Sequence, residues 1–293
     1  MARSIYIASP NAGTGKSTVA LGLVSCLTKV VAKVGVFRPF VESREGDAFL
    51  SLLLNRAGST TPPEQCVGAT WDEFHADPEE ALARIVDAYR AMAREHDVVI
   101  IDGSDFTDVA GNPELALNAR VAANIGVPVL LVVSGQNDVE DVVASVEVSM
   151  AEIADNHART VAVVANKCLP ETRQAIGEAL TAIEGITSTT LPEVPLLAAP
   201  VVREVLDAVE GTLIAGDETL LDREAESVLV CAMDVSHVLE RLTAGQLAIV
   251  PADRSAMLIS LMAAQASSSF PILSGLVLNG GFEVAPHALR LLE

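Results

Sequence analysis

Ten residues near the amino terminus carry the strongest chemical signal: Ser9-Pro10-Asn11-Ala12-Gly13-Thr14-Gly15-Lys16-Ser17-Thr18. A bound phosphate needs backbone N–H groups aimed inward, the positive end of a helix behind it, and a cation that reaches its bridging oxygens. Gly13 and Gly15 permit such a turn, Lys16 supplies the charge, and Ser17 or Thr18 has a hydroxyl for Mg²⁺. Asn11, Ala12 and Thr14 complete the loop that would face a nucleotide. Pro10 stands where a P-loop usually has its first Gly. The ordinary alternative is a Gly-rich turn from strand to helix that binds nothing. That alternative would follow from a Lys16 locked in an internal ion pair with no room for phosphate.

Four further places supply candidate partners. Val98-Val99-Ile100-Ile101-Asp102-Gly103 reads as a buried strand ending in a carboxylate, which beside a P-loop reaches Mg²⁺ directly or through water. Asp47, in Glu45-Gly46-Asp47-Ala48, stands at a helix start, as a second Mg²⁺ ligand or as an N-cap. Arg38, in Phe37-Arg38-Pro39-Phe40, falls at the carboxyl end of the second strand, the edge where open α/β sheets bind ligands. It is a candidate contact for phosphate or an acidic substrate, with a surface salt bridge as the alternative. Asn166-Lys167 ends the fifth strand and resembles a base-reading element of P-loop proteins, with an ordinary turn as the alternative. The candidate metal ligands are thus Ser17, Asp47 and Asp102. Later in the chain, Asp253 is placed as an N-cap and Asn279-Gly280-Gly281 as a turn.

Alternating apolar runs and amphipathic stretches position these residues, the βαβ pattern of a mostly parallel sheet flanked by helices. Strands are predicted at Ser4–Ala8, Gly35–Phe37, Val98–Ile101, Val127–Val133 and Thr160–Ala165, with a short segment Thr187–Leu191. Helices are predicted at Lys16–Val31, Asp47–Ala57, Pro78–Glu95 with Asp77 as N-cap, Pro113–Ile125, Val139–Asp155 and Glu171–Ile183. Pro62–Thr70 reads as a loop. Pro192, Pro195 and Pro200 interrupt the pattern, which sets a domain boundary at 199/200. A smaller α/β unit follows: helix Val201–Val209, strand Thr212–Ile214, an acidic loop through Asp222, strand Ser227–Ala232, helix Ser236–Leu242, strand Leu247–Val250, helix Arg254–Ala266 and strand Gly275–Leu278.

Composition narrows the function classes. Half of the 293 residues are hydrophobic but only 3% are aromatic, which suits helices packed on parallel strands and places the chain in the α/β class. A formal net charge of -20 and a pI near 4.5 repel nucleic-acid backbones and anionic lipid surfaces, so neither is an expected partner. Cys26, Cys66, Cys168 and Cys231 form no Cys-x-x-Cys pair and read as buried thiols of a reducing compartment. The histidines show no zinc-ligand spacing. With neither a signal peptide nor an apolar run of membrane-spanning length, a cytoplasmic location is expected.

Taken together, the motifs resemble the N-terminal half of the long bacterial form of phosphate acetyltransferase. The likeness rests on Ser9 to Thr18, Gly35-Val36-Phe37-Arg38-Pro39, Asp97 to Gly103, Val163 to Lys167, Pro195 to Glu204, Leu220-Leu221-Asp222-Arg223-Glu224, Pro251-Ala252-Asp253-Arg254 and Leu278-Asn279-Gly280-Gly281. It implies a P-loop domain of the dethiobiotin-synthetase kind over 1–199 and a DRTGG-type domain over 200–293. The catalytic acetyltransferase domain is expected after 293 and is absent from this chain. Asn279 replaces the family's Thr, and Ala252 stands where a Gly is expected. The resemblance further implies a regulatory and oligomerisation module of an enzyme that moves acetyl between coenzyme A and phosphate, with no catalytic residues of its own. It also implies nucleotide or small-metabolite effectors, NADH and pyruvate among them, Mg²⁺ with ATP or a related nucleotide as cofactor, and a homo-oligomer. The loop Ala12 to Ser17 is similar to that of the MinD and dethiobiotin-synthetase groups, with Asn11 at the MinD signature Lys. A free-standing ATP-dependent carboxylate ligase is therefore the second reading and a MinD-like ATPase the third.

Overall fold

The computed structural model describes residues 3–44, 46–104 and 114–284. The chain divides into two compact units, Met1–Glu193 and Val194–Glu293, a few residues ahead of the boundary read from the prolines.

The first unit runs β1 (Arg3–Ala8), α1 (Lys16–Leu27), β2 (Val34–Val41), α2 (Ala48–Ala57), β3 (Val67–Thr70), α3 (Trp71–Ala76), α4 (Pro78–Glu95) and β4 (Val98–Asp102). It continues with α5 (Glu114–Ile125), β5 (Val129–Ser134), α6 (Val139–Asp155), β6 (Thr160–Cys168), α7 (Arg173–Thr181) and β7 (Thr187–Pro192). The strands form one parallel sheet in the order β3-β2-β4-β1-β5-β6-β7. Helices cover both faces of such a sheet, which is why β2 is buried at every position and reads as an unbroken apolar run apart from Arg38. β1 lies between β4 and β5, so chain connections depart to either side of its carboxyl end, the topological position at which parallel sheets open a crevice.

Local chemistry explains the long helices. Asp77 accepts the Glu80 N–H at 3.0 Å and Pro78 opens α4, whose buried residues Leu82, Ile85, Tyr89 and Met92 recur at helical spacing.

This unit departs from the predicted elements in three places. The stretch Pro62–Thr70 is not a loop throughout: it holds a 3₁₀ turn at Pro63–Gln65 and then β3, whose pairing with β2 aligns Phe40 with Ala69. Four residues with a glycine in the middle give too short an alternation to read as a strand. Gly68 is required there, because a Cβ would come within 2.6 Å of the Pro39 carbonyl oxygen. The helix α3, not predicted, follows at once, started by a Thr70–Glu73 capping box. α1 stops at Leu27 instead of Val31, in a turn where Val30 and Val31 both donate to the Leu27 carbonyl.

The second unit contains α8 (Val202–Ala208), β8 (Ser227–Val230), α9 (Val235–Leu239), β9 (Gln246–Pro251), α10 (Ser255–Ala266) and β10 (Gly275–Asn279). Its sheet is parallel in the order β10-β9-β8 and packs on Val238, Met257 and Leu261. The predicted strand Thr212–Ile214 is absent: these residues form no ladder, and Ile214 is 55% exposed. The acidic stretch instead closes in a 3₁₀ turn at Glu218–Asp222. Asp253 is not the N-cap of α10; that position belongs to Arg254, which makes no side-chain cap, and Asp253 is exposed. The Arg254 N–H bonds to the Pro251 carbonyl at 2.9 Å, a tight turn that moves the helix start on to Ser255.

All four cysteines are free, with Cys66, Cys168 and Cys231 buried and Cys26, against expectation, exposed on α1. Among the described residues, no helix is long and apolar enough to cross a membrane.

Candidate functional site

The loop between β1 and α1 turns through two left-handed residues, Gly13 at φ 76° and Gly15 at φ 80°, the latter being the N-cap of α1. A side chain at Gly15 would be strained by its dihedral angle and would run into Asn166 Nδ2. From the carboxyl end of β6, Asn166 Nδ2 donates to the Thr14 carbonyl at 2.9 Å and Lys167 Nζ donates to the Gly13 carbonyl at 2.7 Å. Both braces use carbonyls of the loop. The first turn of α1, Lys16 to Thr18, presents N–H groups that lack carbonyls one turn back, together with the positive end of the helix dipole.

Lys16 is 2% exposed, and its ammonium already has anionic company. Nζ donates to Asp102 Oδ1 at 2.6 Å and to the Gly103 carbonyl at 2.5 Å, both at the carboxyl end of β4. The internal ion pair that would favour a loop without ligand is therefore present. A phosphate could hold this lysine only by exchanging with the carboxylate and the carbonyl.

Arg38 arrives from β2 and makes ion pairs, but buried ones and not the surface salt bridge of the sequence alternative. Its Nη1 pairs with Asp47 Oδ2, and its Nε stands 3.3 Å from Asp102 Oδ2. That second approach has ion-pair distance without hydrogen-bond alignment, so Arg38 Nε and Asp102 Oδ2 are both buried without a hydrogen-bond partner among the described residues. Asp47 caps α2 through Oδ1, which accepts the Leu50 N–H at 2.8 Å. With both oxygens engaged, Asp47 has the capping role of its two sequence alternatives. Two cations and two carboxylates thus form a balanced, largely desolvated chain, Lys16–Asp102–Arg38–Asp47.

The donor set has a place for Mg²⁺. No group of three or more His, Cys, Asp and Glu able to hold a metal exists among the described residues. Mg²⁺ does not need one: it characteristically takes one or two protein oxygens and completes its shell with water and phosphate. Asp102 Oδ2, buried and without a hydrogen bond, fits that role, and Ser17 lies half-buried in the first turn of α1 beside Lys16.

Sequence reading singled out most of this edge but missed what holds it. Gly103 enters as a carbonyl acceptor, which no side-chain motif announces. Behind it Asn118 Oδ1 accepts from Tyr6 Oη at 2.6 Å and from the Ser104 N–H at 3.0 Å. Tyr6 and Asn118 are far apart in sequence, so their meeting has no local signal.

In the second unit the corresponding residues join elements together. Arg254 Nη1 donates to the carbonyls of Cys231 at 3.1 Å and Ala232 at 3.0 Å, just past the end of β8. The Ala252 N–H bonds to the Asn279 carbonyl at 3.0 Å, and Gly280 and Gly281 make a turn at φ 91° and 68°.

Two families match the chain, one after the other. The family described as AAA domain matches residues 3–206, and the family described as DRTGG domain matches residues 204–293. The phosphate acetyltransferase of Nitratidesulfovibrio vulgaris is 27% identical over 308 residues, covering 100% of this chain and 44% of the relative. That of Synechocystis is 25% identical, again with 100% and 44% covered, and that of Escherichia coli 21% identical, with 100% and 45%. The chain thus spans less than half the length of these curated relatives. Among solved structures, the signal recognition particle receptor FtsY from Elizabethkingia anophelis aligns with 66% of this chain and 59% of its own at 15% identity and a TM-score of 0.46. The septum site-determining protein MinD from Pyrococcus horikoshii, complexed with Mg-ADP, aligns with 68% and 84% at 19% identity and a TM-score of 0.42. The chain belongs to the AAA-domain family, as a P-loop domain followed by a DRTGG domain.

Proposed function

We propose that this chain is the N-terminal, regulatory and assembly part of a phosphate acetyltransferase, and that its P-loop binds ATP or a related nucleotide with Mg²⁺. The observation that carries the nucleotide assignment is the convergence of the glycine turn, Lys16 and a buried Asp102 oxygen without a hydrogen bond at one sheet edge. Phosphate oxygens would take the N–H groups of residues 13 to 18 and the Lys16 ammonium, while Ser17 and Asp102 would hold the metal. Bound there, Mg²⁺ would neutralise phosphate charge. Asn166 and Lys167 would keep the loop in register for that exchange.

The enzyme context rests on the relatives, which match all of this chain with less than half of their own length. An acetyltransferase domain of the same polypeptide is accordingly the chief partner, a nucleotide or small metabolite the effector, a homo-oligomer the assembly and the cytoplasm the location. The DRTGG match over residues 204–293 favours this reading over a free-standing ATP-dependent ligase. By itself the chain is expected to form no acetyl phosphate from acetyl coenzyme A and phosphate.

Calorimetric titration with ATP and Mg²⁺ tests the nucleotide assignment. Lys16→Ala removes a charge-assisted contact to phosphate and is expected to weaken binding by about 10- to 100-fold. Equal affinities for the variant and the unaltered protein would refute it.

A further inference from the structure

We infer that the carboxyl end of β4, Asp102 with Gly103, is an internal latch: in the ligand-free protein, Asp102 and the Gly103 carbonyl hold Lys16 in place of phosphate, and Tyr6 and Asn118 fix that carbonyl. The inference rests on the nucleotide-binding reading and adds a resting state to it.

The Gly103 peptide is held from several sides. Its N–H donates to the Ile7 carbonyl at 2.9 Å. A Cβ on Gly103 would lie 2.6 Å from Asn118 Oδ1, 2.7 Å from the Ile7 carbonyl oxygen and 2.8 Å from Tyr6 Cε1, so these groups crowd close around the residue and only glycine fits. Asn118, fully buried in α5, binds the next residue twice: Oδ1 accepts the Ser104 N–H at 3.0 Å, and Nδ2 donates to the Ser104 carbonyl at 3.4 Å and to the Glu114 carbonyl at 3.0 Å. Tyr6 Oη, also fully buried, donates to the same Oδ1 at 2.6 Å. The result is a carbonyl aimed at Lys16 Nζ by groups outside the phosphate-binding loop.

A ligand that binds only the open state has its apparent affinity reduced by the fraction of molecules that are open. The latch is therefore a competitor of nucleotide built into the fold. Its charge balance also couples nucleotide to metal. When phosphate takes Lys16, the Asp102 carboxylate is left buried near phosphate with Arg38 misaligned on its other oxygen, and a divalent cation offsets that charge.

Tyr6→Phe is the discriminating variant, because it removes one hydroxyl behind the latch and alters no charge at the site. Asp102→Asn would not decide the matter, since it also removes repulsion of phosphate. Two quantities are measured on the full chain: ATP affinity with Mg²⁺ by calorimetry, and acetylation of Lys16 by acetic anhydride in the absence of nucleotide, read by mass spectrometry against exposed Lys29. In the unaltered protein Lys16 should label much more slowly than Lys29. In Tyr6→Phe, Lys16 labelling should accelerate and ATP affinity should rise about fivefold. Unchanged or weaker ATP binding with unchanged labelling would overturn the latch, as would Lys16 labelling as fast as Lys29 in the unaltered protein. Asn118→Ser carries the same expectations should Tyr6→Phe fail to fold. An unaltered protein that binds no ATP at all would sink the nucleotide reading instead, and the labelling comparison would still decide whether the lysine is latched.

Discussion

At the carboxyl edge of the seven-stranded sheet, Lys16, Asp102, Arg38 and Asp47 meet almost out of solvent, and two of their atoms lack hydrogen bonds among the described residues. At the carboxyl edge of the three-stranded sheet the exposed Arg254 donates from Nη1 to backbone carbonyls just past the end of β8. Both edges are made by the same local grammar, a parallel strand turning into a helix, and both include left-handed glycines. The difference lies in what each does with charge. In the first, ionised groups are buried in a balance that an incoming anion and cation can rearrange. In the second, Arg254 Nη1 donates to the chain's own carbonyls and ties the end of β8 to the start of α10. Strand order reverses at β1 in the first sheet and not in the sequential β10-β9-β8 sheet, and the buried, incompletely satisfied charges stand at that reversal.

The largest expected effect tests whether the first edge is the desolvated cluster described. Removing one member of a buried ion pair typically costs about 3–5 kcal/mol because the other charge remains. For Lys16→Met the expectation is the low end, about 3 kcal/mol, since Arg38 stays 3.3 Å from Asp102. Combining it with Asp102→Leu should recover most of that loss in urea denaturation, as coupled neighbours do in a double-mutant cycle. Additive losses, or a single-variant cost below about 1 kcal/mol, would mean solvent-screened charges and would erase the contrast between the edges.

How much of this was legible in the sequence follows the range of the interactions. The P-loop turn is local, so Gly13, Gly15 and Lys16 could be read directly, and the alternating apolar runs disclosed the parallel sheet and the second α/β unit. Asp102 was readable as the end of a buried strand. The roles of Asp47 and Arg38 stayed open because each depends on which side chain the other meets, and the structure pairs them. Asn118 and Tyr6 were silent, since a hydrogen bond between distant elements leaves no spacing to detect. β3 escaped notice for being four residues long, whereas Thr212–Ile214 looked like a strand because Leu213 and Ile214 beside a β-branched Thr suffice for the pattern but supply no pairing partner. The placement of Asp253 failed by a shift of the helix start, the kind of boundary that turn geometry decides.

An intermediate effect tests the second edge. Arg254→Ala strips donors from the Cys231 and Ala232 carbonyls and should destabilise the second unit by about 1–2 kcal/mol. ATP affinity at the P-loop should not change. A fall in ATP affinity comparable to that of Lys16→Ala, at unchanged stability, would make Arg254 a ligand-binding residue and remove the distinction drawn between joint and site.

The smallest effect serves as a surface control within the first unit. Glu73 accepts the Thr70 N–H at 2.9 Å and pairs with Arg44 at 2.8 Å and Arg84 at 3.1 Å, on side chains that are substantially exposed. The Thr70 N–H first, then the two guanidinium groups, hold its carboxyl below the ordinary value of 4.5. A carboxylate whose folded pKa is depressed contributes stability above its unfolded pKa and loses it as pH falls through the folded one. Glu73→Gln keeps the capping geometry and discards the charge, so it should cost less than about 1 kcal/mol at pH 7. Urea melts repeated at successively lower pH should show the gap between Glu73→Gln and the unaltered protein begin to close near pH 4.5 and vanish below it. A gap as large as that of Lys16→Met would mean that exposed and buried ion pairs contribute alike in this fold, and burial could no longer be the property that sets the P-loop edge apart.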